Sequence, residues 1–361
     1  MISSLYIHIP FCDHICSYCD FAKVESKYFD RKKYLDKLFD EFNSYAILDN
    51  SLKTIYIGGG TPSALNEEEL EYLLSFFYSH FKNVEEFTFE ANPESLTLNK
   101  IKILSKYHVN RVSLGVETTD VEGIKLLNRK HTIIDVIEAI KNLKDNNITN
   151  INLDFIFGYH NQTIYSLNKD IDFALSLDVT HLSFYSLIIE DNTILKIKGY
   201  QEEDENLLSD MYSLINRRLN NSYFKHYEVS NYAKEGYKSI HNLTYWLDKN
   251  YYAIGLGASS YINDKRIKNT MSINNYLNGI IKRDIDIIDF VSLKEEYIML
   301  HFRLLDGIKY KEYQNIFKSD FKTEHHKAIL KNKDLLNIND DSISIKEDYF
   351  FIMDQIVIDF I

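Results

Sequence analysis

Six short strand-like segments recur through the first half of the chain: LYIHI at 5–9, TIYIG at 54–58, EFTFE at 86–90, RVSLGV at 111–116, NINLDFIFG at 150–158 and HLSFYSL at 181–187. Between them, apolar residues fall at helical spacing over 33–48, 67–81, 133–144 and 166–177. Strands that alternate with helices pair in parallel, because each helix is the crossover that returns the chain to the same sheet edge, and such crossovers are right-handed. The expected fold is therefore α/β, an open or partial (β/α)6 barrel, with a doubly wound sheet as the alternative. In such barrels the βα loops converge on the C-terminal ends of the strands. The polar and glycine-rich signals fall at those ends, and the only prolines, Pro10, Pro62 and Pro93, mark shaped strand ends.

After about residue 200 the rhythm changes to a helix near 203–219, then short aromatic segments and glycine turns through Tyr261. Helical patterns follow near 293–304 and 311–317, and the tail LLNINDDSISIKEDYFFIMDQIVIDFI reads as a hairpin plus an amphipathic helix. These boundaries predict a barrel over 1–235, a linking segment over 236–289 and a small α+β, winged-helix-like domain over 290–361. At 361 residues and 45% apolar, the chain can bury a sizeable core. Its net charge of −12 argues against nucleic acid as a partner, so the winged outline suggests packing or gating rather than DNA binding. No apolar run approaches the roughly 18 residues of a membrane span. The opening MISSLYIHIPFC lacks the basic and apolar regions of a signal peptide, so a cytoplasmic location is expected.

All three cysteines lie between Cys12 and Cys19, directly after the first strand. A disulfide there closes only a tiny loop and stabilises little. Thiolate chemistry explains the clustering better, and three readings are open. Cys12, Cys16 and Cys19 can hold a [4Fe-4S] cluster, which usually takes four thiolates and here leaves one iron without a protein ligand. They can form a Cys3His zinc site with His8 or His14. Cys16 and Cys19 can form a redox pair. Gly58-Gly59-Gly60-Thr61-Pro62 after the second strand allows close backbone approach, and Glu90 ends the third strand, where a carboxylate can accept from ribose hydroxyls or a charged amine.

The cysteine spacing after YIHIPF, together with GGGTPS, resembles the radical S-adenosylmethionine superfamily, in which the cofactor's amino and carboxylate groups occupy the open iron. The cluster then reduces the sulfonium to release a 5′-deoxyadenosyl radical. Over most of the chain the resemblance is closest to the oxygen-independent coproporphyrinogen III oxidase family. It implies cofactor contacts from Tyr6, Tyr18, Gly59, Gly60, Thr61, Glu90, Arg129 in LLNRKHT and Asp154 in NLDFIFG. Two positions depart from the family pattern. A glutamine is Glu117 here, and the stretch usually written GLPxQT is Gly158-Tyr159-His160-Asn161-Gln162-Thr163, without the proline.

The family contains oxidases and heme chaperones. The oxidases carry a further cysteine two residues beyond the third and an N-terminal extension; here Phe21 stands at that position and Met1 lies almost against the first strand. His241-Asn242-Leu243-Thr244-Tyr245-Trp246 matches the HNxxYW motif of the chaperone branch. The resemblance therefore implies a binding and delivery protein more than an enzyme, with heme as cargo held by His241, Tyr245 and Trp246. An imidazole can ligate heme iron and aromatics can cover the macrocycle; alternatively, the motif anchors the loop between domains. The acceptor is unspecified, a membrane protein met transiently being one option. The alternative function is radical decarboxylation of coproporphyrinogen III.

Overall fold

A computed structural model describes residues 2–48, 50–281 and 283–361. The chain opens with β1 (Ser4–Ile9), and a short pair, β2 (Phe11–Cys12) and β3 (Val24–Glu25), then closes the cysteine loop. The repeating units follow: α1 (Arg31–Ser44), β4 (Thr54–Gly59), α2 (Glu67–His80), β5 (Glu86–Ala91), α3 (Leu98–Lys106), β6 (Arg111–Glu117), α4 (Val121–Leu126) with α5 (Ile133–Asp145), β7 (Asn150–Phe157), α6 (Ile164–Ser176) and β8 (His181–Ser186). All six strands expected from the sequence are present. Each helix starts where a side chain accepts an otherwise orphaned backbone N–H: Asp30, Asn66, Thr97, Thr132 and Thr163 each cap one, and Asn66 with Glu69 forms a reciprocal capping box.

Strands β1, β4, β5, β6, β7 and β8 pair side by side in parallel, giving the expected partial barrel. Side chains alternate between two faces. Ile7, Ile57, Phe89, Leu114, Leu153 and Phe184 face outward and are buried under the helices. Their neighbours Tyr6, Tyr56, Glu90, Ser113, Asp154 and Tyr185 therefore face the lumen, which is filled by hydrogen-bonded polar groups. Asn152 Nδ2, for example, donates to Ser113, Asp154 and Ser183 at 2.7–3.0 Å.

The second half completes the sheet. Beyond α7 (Ile194–Ile197) and α8 (Glu205–Asn220), β10 (Asn231–Ala233) adds antiparallel to β8, and β9 (Lys225–Glu228) pairs antiparallel with β10 at the sheet edge. Residues 236–289, expected as a linking segment, instead supply the barrel with α9 (Ile240–Trp246) and with β11 (Tyr252–Ile254), which pairs in parallel with β1. The C-terminal unit is small and mixed, with an antiparallel sheet of Ile308–Lys309, Ser342–Ile345 and Leu336–Ile338 flanked by short helices. The tail's amphipathic helix is shorter than expected: a 3-10 segment, Glu347–Ile352, runs into the five-residue helix Met353–Val357. One apolar core continues from the barrel into this unit, and backbone bonds join them, Val229 N to Arg303 O (3.0 Å) and Leu305 N to Tyr227 O (3.2 Å).

Candidate functional site

Cys12 ends β2 against the glycine turn after β4. Gly60 is required there: a Cβ on it stands 2.7 Å from the Pro10 carbonyl and 3.0 Å from Cys12 Sγ. Two donors face the thiols. Thr61 Oγ1 lies 3.5 Å from Cys12 Sγ, and Arg129 Nη1 lies 3.5 Å from Cys16 Sγ. Such donors favour thiolates. Without a metal, burial pushes the Cys12 thiol up to about 12 and raises Cys19; a bound metal reverses that by deprotonating its ligands outright. Among the described residues no three His, Cys, Asp or Glu side chains form a preassembled metal cage. The donor set and the glycine cradle fit an iron–sulfur cluster. His8 does not fit as a zinc ligand, because its Nε2 donates to the Ala22 carbonyl (2.7 Å) and its Nδ1 accepts from Tyr6 (3.1 Å).

The residues expected to contact S-adenosylmethionine surround the same mouth. Glu90 accepts from Tyr56 (2.7 Å) and from the Gly59 amide (3.0 Å), with Gly59 at φ 120°, a conformation that favours glycine. Asp154 is held by Ser113 (2.6 Å) and Asn152 (2.8 Å). Glu117 sits where β6 slips register against β7, at φ 62°, and its Oε1 accepts from Tyr18 (2.9 Å) and lies 3.9 Å from Arg129. That irregularity re-aims the side chain at the end of the strand. Burial raises Glu90 and Glu117 to about 7 and raises Asp154. Arg129 also donates to Asn92 (3.0 Å) and the Gly115 carbonyl (2.5 Å), while its Nε has no partner. The site thus joins three clustered carboxylates to one guanidinium, a set that can grip a zwitterionic ligand with hydroxyls.

Several lumen residues escape a sequence reading: Tyr56, Asn92, Ser113 and Asn152 hold Glu90, Arg129 and Asp154 in place. Their signal is strand alternation, since Tyr56 shares a face with Gly58, and Asn152 with Asp154. Glu94, His14 and His131 are a second omission. Glu94 lies 3.7 Å from His14 and 4.0 Å from His131, and these facing atoms are buried without hydrogen bonds. Nothing in their sequence spacing signals the meeting.

His241, Tyr245 and Trp246 lie at the opposite end of the barrel, on α9. Ser4, Thr54 and Glu86 begin β1, β4 and β5, and all three bind this helix. Glu86 accepts from the amides of Ile240 (2.8 Å) and His241 (2.9 Å), and Ser4 meets Thr244 at 3.0 Å. His241 has no exposed surface, and both ring nitrogens are engaged, Nδ1 with Thr54 (2.9 Å) and Nε2 with Tyr245 (2.8 Å). Burial lowers its pKa to about 3. In this conformation it offers iron no free nitrogen. Trp246 is half-buried at the seam with the C-terminal unit, where Arg303 lies over its ring at 5.8 Å.

Comparison with known proteins agrees with this layout. Residues 6–174 match the model of the radical SAM superfamily. The chain is 36% identical to the heme chaperone HemW of Lactococcus lactis subsp. lactis (strain IL1403), over 98% of each protein. It is also 36% identical to HemW of Bacillus subtilis (strain 168), over 92% of this chain and 94% of that one. For HemW of Escherichia coli (strain K12) the identity is 33%, over 84% and 83%. Among solved structures, coproporphyrinogen III oxidase (HemN) from Escherichia coli superimposes with a TM-score of 0.86 at 19% identity, covering 99% of this chain and 90% of that one, which establishes a common fold. With the barrel, the cysteine loop and near end-to-end identity all in agreement, this chain belongs to the HemW family of the radical S-adenosylmethionine superfamily.

Proposed function

We propose that the chain is a heme chaperone, binding heme and passing it to an acceptor protein while carrying a [4Fe-4S] cluster and S-adenosylmethionine. The observation that carries this reading is the match to relatives named heme chaperones over 98% of the chain at 36% identity. Phe21 supports it: where the oxidases have a further cysteine, this chain has a side chain that is 64% exposed.

Cys12, Cys16 and Cys19 would hold the cluster and leave one iron for S-adenosylmethionine. When bound there, the reduced cluster supplies an electron to the sulfonium. The chain's own residues bind and orient. Arg129 provides a fixed positive charge, and Tyr6, Tyr18, Gly59, Gly60 and Thr61 shape the floor beside the thiols. Glu90, Glu117 and Asp154 face the ligand's amine and hydroxyls, and the Glu90 and Glu117 carboxyls, pushed by burial to about 7, can accept or donate at neutral pH. His241, Tyr245 and Trp246 reach heme only if α9 withdraws from the barrel end, which breaks the bonds to Glu86 and Thr54.

Anaerobic reconstitution followed by separate heme-binding and coproporphyrinogen assays tests the reading. Expected are about four irons and four sulfides per chain, saturable heme binding at a defined stoichiometry, and no decarboxylation. Cys→Ser at any of the three cysteines should abolish stable cluster assembly. Protoporphyrinogen IX formed at many turnovers from coproporphyrinogen III and S-adenosylmethionine overturns the chaperone reading in favour of the oxidase.

A further inference from the structure

Beside the barrel mouth, between the segment after β6 and the start of α6, lies an open concavity of about 890 Å³. That is within the roughly 300–1,000 Å³ that small-molecule sites span. A second hollow of about 460 Å³ adjoins it, and His160, Asn161, Lys198 and Tyr200 line both. The groove exposes flat and apolar surface: Tyr165 is 71% exposed and Val121 62%.

Its charges are unequally matched. Asp120 is occupied capping α4, and Glu122 pairs with Lys125 at 2.7 Å. Lys169 sits over the Tyr165 ring at 4.5 Å, and neither Lys169 nor Lys198 has a carboxylate partner among the described residues. Both ammonium groups line the groove, Lys169 beside the Tyr165 ring and Lys198 where the two hollows join.

His160 has the arrangement of a metal-ligating histidine. Its Nδ1 lies 3.3 Å from Glu203 Oε1, its side chain is 47% exposed, and Tyr200 packs edge-on at 5.3 Å. With the Glu203 carboxylate on the Nδ1 side, Nε2 is the ring nitrogen left open to a ligand. His226 has a carboxylate at 2.9 Å on its own Nδ1, but its side chain is fully buried and cannot meet a ligand from solvent.

The groove also shares a wall with the cysteine loop. Leu127, Ile156, Tyr159, Leu187 and Leu195 form a small apolar cluster apart from the main core, and Tyr18 packs against it. Ser17 N bonds Leu127 O, and Leu195 N bonds Ser17 O, both at 3.0 Å. A ligand in the groove is thus one layer of side chains away from the cluster-binding loop.

We propose that this groove is the heme seat, with His160 Nε2 as an axial iron ligand and Lys169 and Lys198 as partners of the two propionates. The macrocycle lies against Tyr165 and Val121. This assignment rests on the heme-chaperone reading and gives it a site that differs from α9.

The test is anaerobic titration of hemin into the cluster-loaded protein, wild type and variants, followed by absorption spectra and by iron and sulfide content. All three side chains are at the surface, so the variants should fold and load the cluster normally. His160→Ala should shift or remove the Soret band, and added imidazole should restore it, which a merely structural role cannot explain. Lys169→Glu with Lys198→Glu should weaken binding by about tenfold or more, with less effect at high salt. A wild-type spectrum and affinity in His160→Ala overturns the groove assignment and leaves the chaperone reading intact. Failure of the wild-type protein to bind heme saturably overturns the chaperone reading itself, and the groove assignment with it.

Discussion

Replacing Glu228 with glutamine should flatten the pH dependence of stability. Glu228 has no exposed surface, and burial pushes its carboxyl from 4.5 up to about 7, against the partial offset of the Ser230 amide, Asn231, Arg303 and the Trp246 indole. Below pH 4.5 both the folded and unfolded chains keep the proton, so the group carries no penalty. As pH rises from 4.5 to 7 the unfolded chain releases the proton and the folded chain does not, so stability falls; above 7 the loss is constant. At 1.36 kcal/mol per pH unit the full effect is about 3 kcal/mol, most of it falling between pH 5 and pH 8. Glutamine keeps the shape. Because Glu228 Oε1 has no hydrogen-bond partner, the new amide nitrogen adds an offset that is the same at every pH. The difference in slope therefore isolates the ionisation. Urea unfolding of both proteins, metal-free, at several pH values should show wild type losing about 2–3 kcal/mol more than Glu228→Gln between pH 5 and pH 8. Parallel curves would refute the argument that this buried carboxyl is held protonated.

Glu86→Ala removes the acceptor for the Ile240 and His241 amides and for Ser239 Oγ, leaving buried donors unsatisfied. A loss of about 2–5 kcal/mol in denaturant and new proteolysis near residue 240 are expected; a loss below about 1 kcal/mol counts against α9 as the barrel's anchored end. Gly60→Ala forces a Cβ against the Pro10 carbonyl and Cys12 Sγ. The apoprotein should lose about 1–3 kcal/mol from overpacking, and iron and sulfide content should fall, whereas full cluster loading shows that the turn can yield.

The barrel was legible because its signals are local. Each of the six strands carries β-branched or aromatic residues over a few positions, each helix carries its own cap and apolar stripe, and the parallel order follows from the alternation of strands with helical crossovers. The cysteine loop was legible for the same reason: three cysteines within eight positions of sequence need no tertiary contact to be recognised as a cluster. Glu90 could be placed at the mouth because strand ends in such a barrel converge, whereas Asp154 was assigned through the family resemblance.

What the sequence could not decide was where non-local partners meet. His241 reads as an open ligand in HNLTYW, yet Glu86, Thr54 and Ser4, each far away in the chain, draw its helix against the barrel end, where Thr54 and the neighbouring Tyr245 occupy its two nitrogens. Tyr252–Ile254 is too short to announce itself as a strand, and it becomes one only because β1 presents an unpaired edge. Glu228 gives no sign of its burial until β9 docks against the C-terminal unit. The sequence alone determined the elements, the fold class and the clustering of the three cysteines, since these depend on periodicity and close spacing. The tertiary structure decided which polar groups are buried, paired or free, because that depends on contacts between residues separated by tens to hundreds of positions.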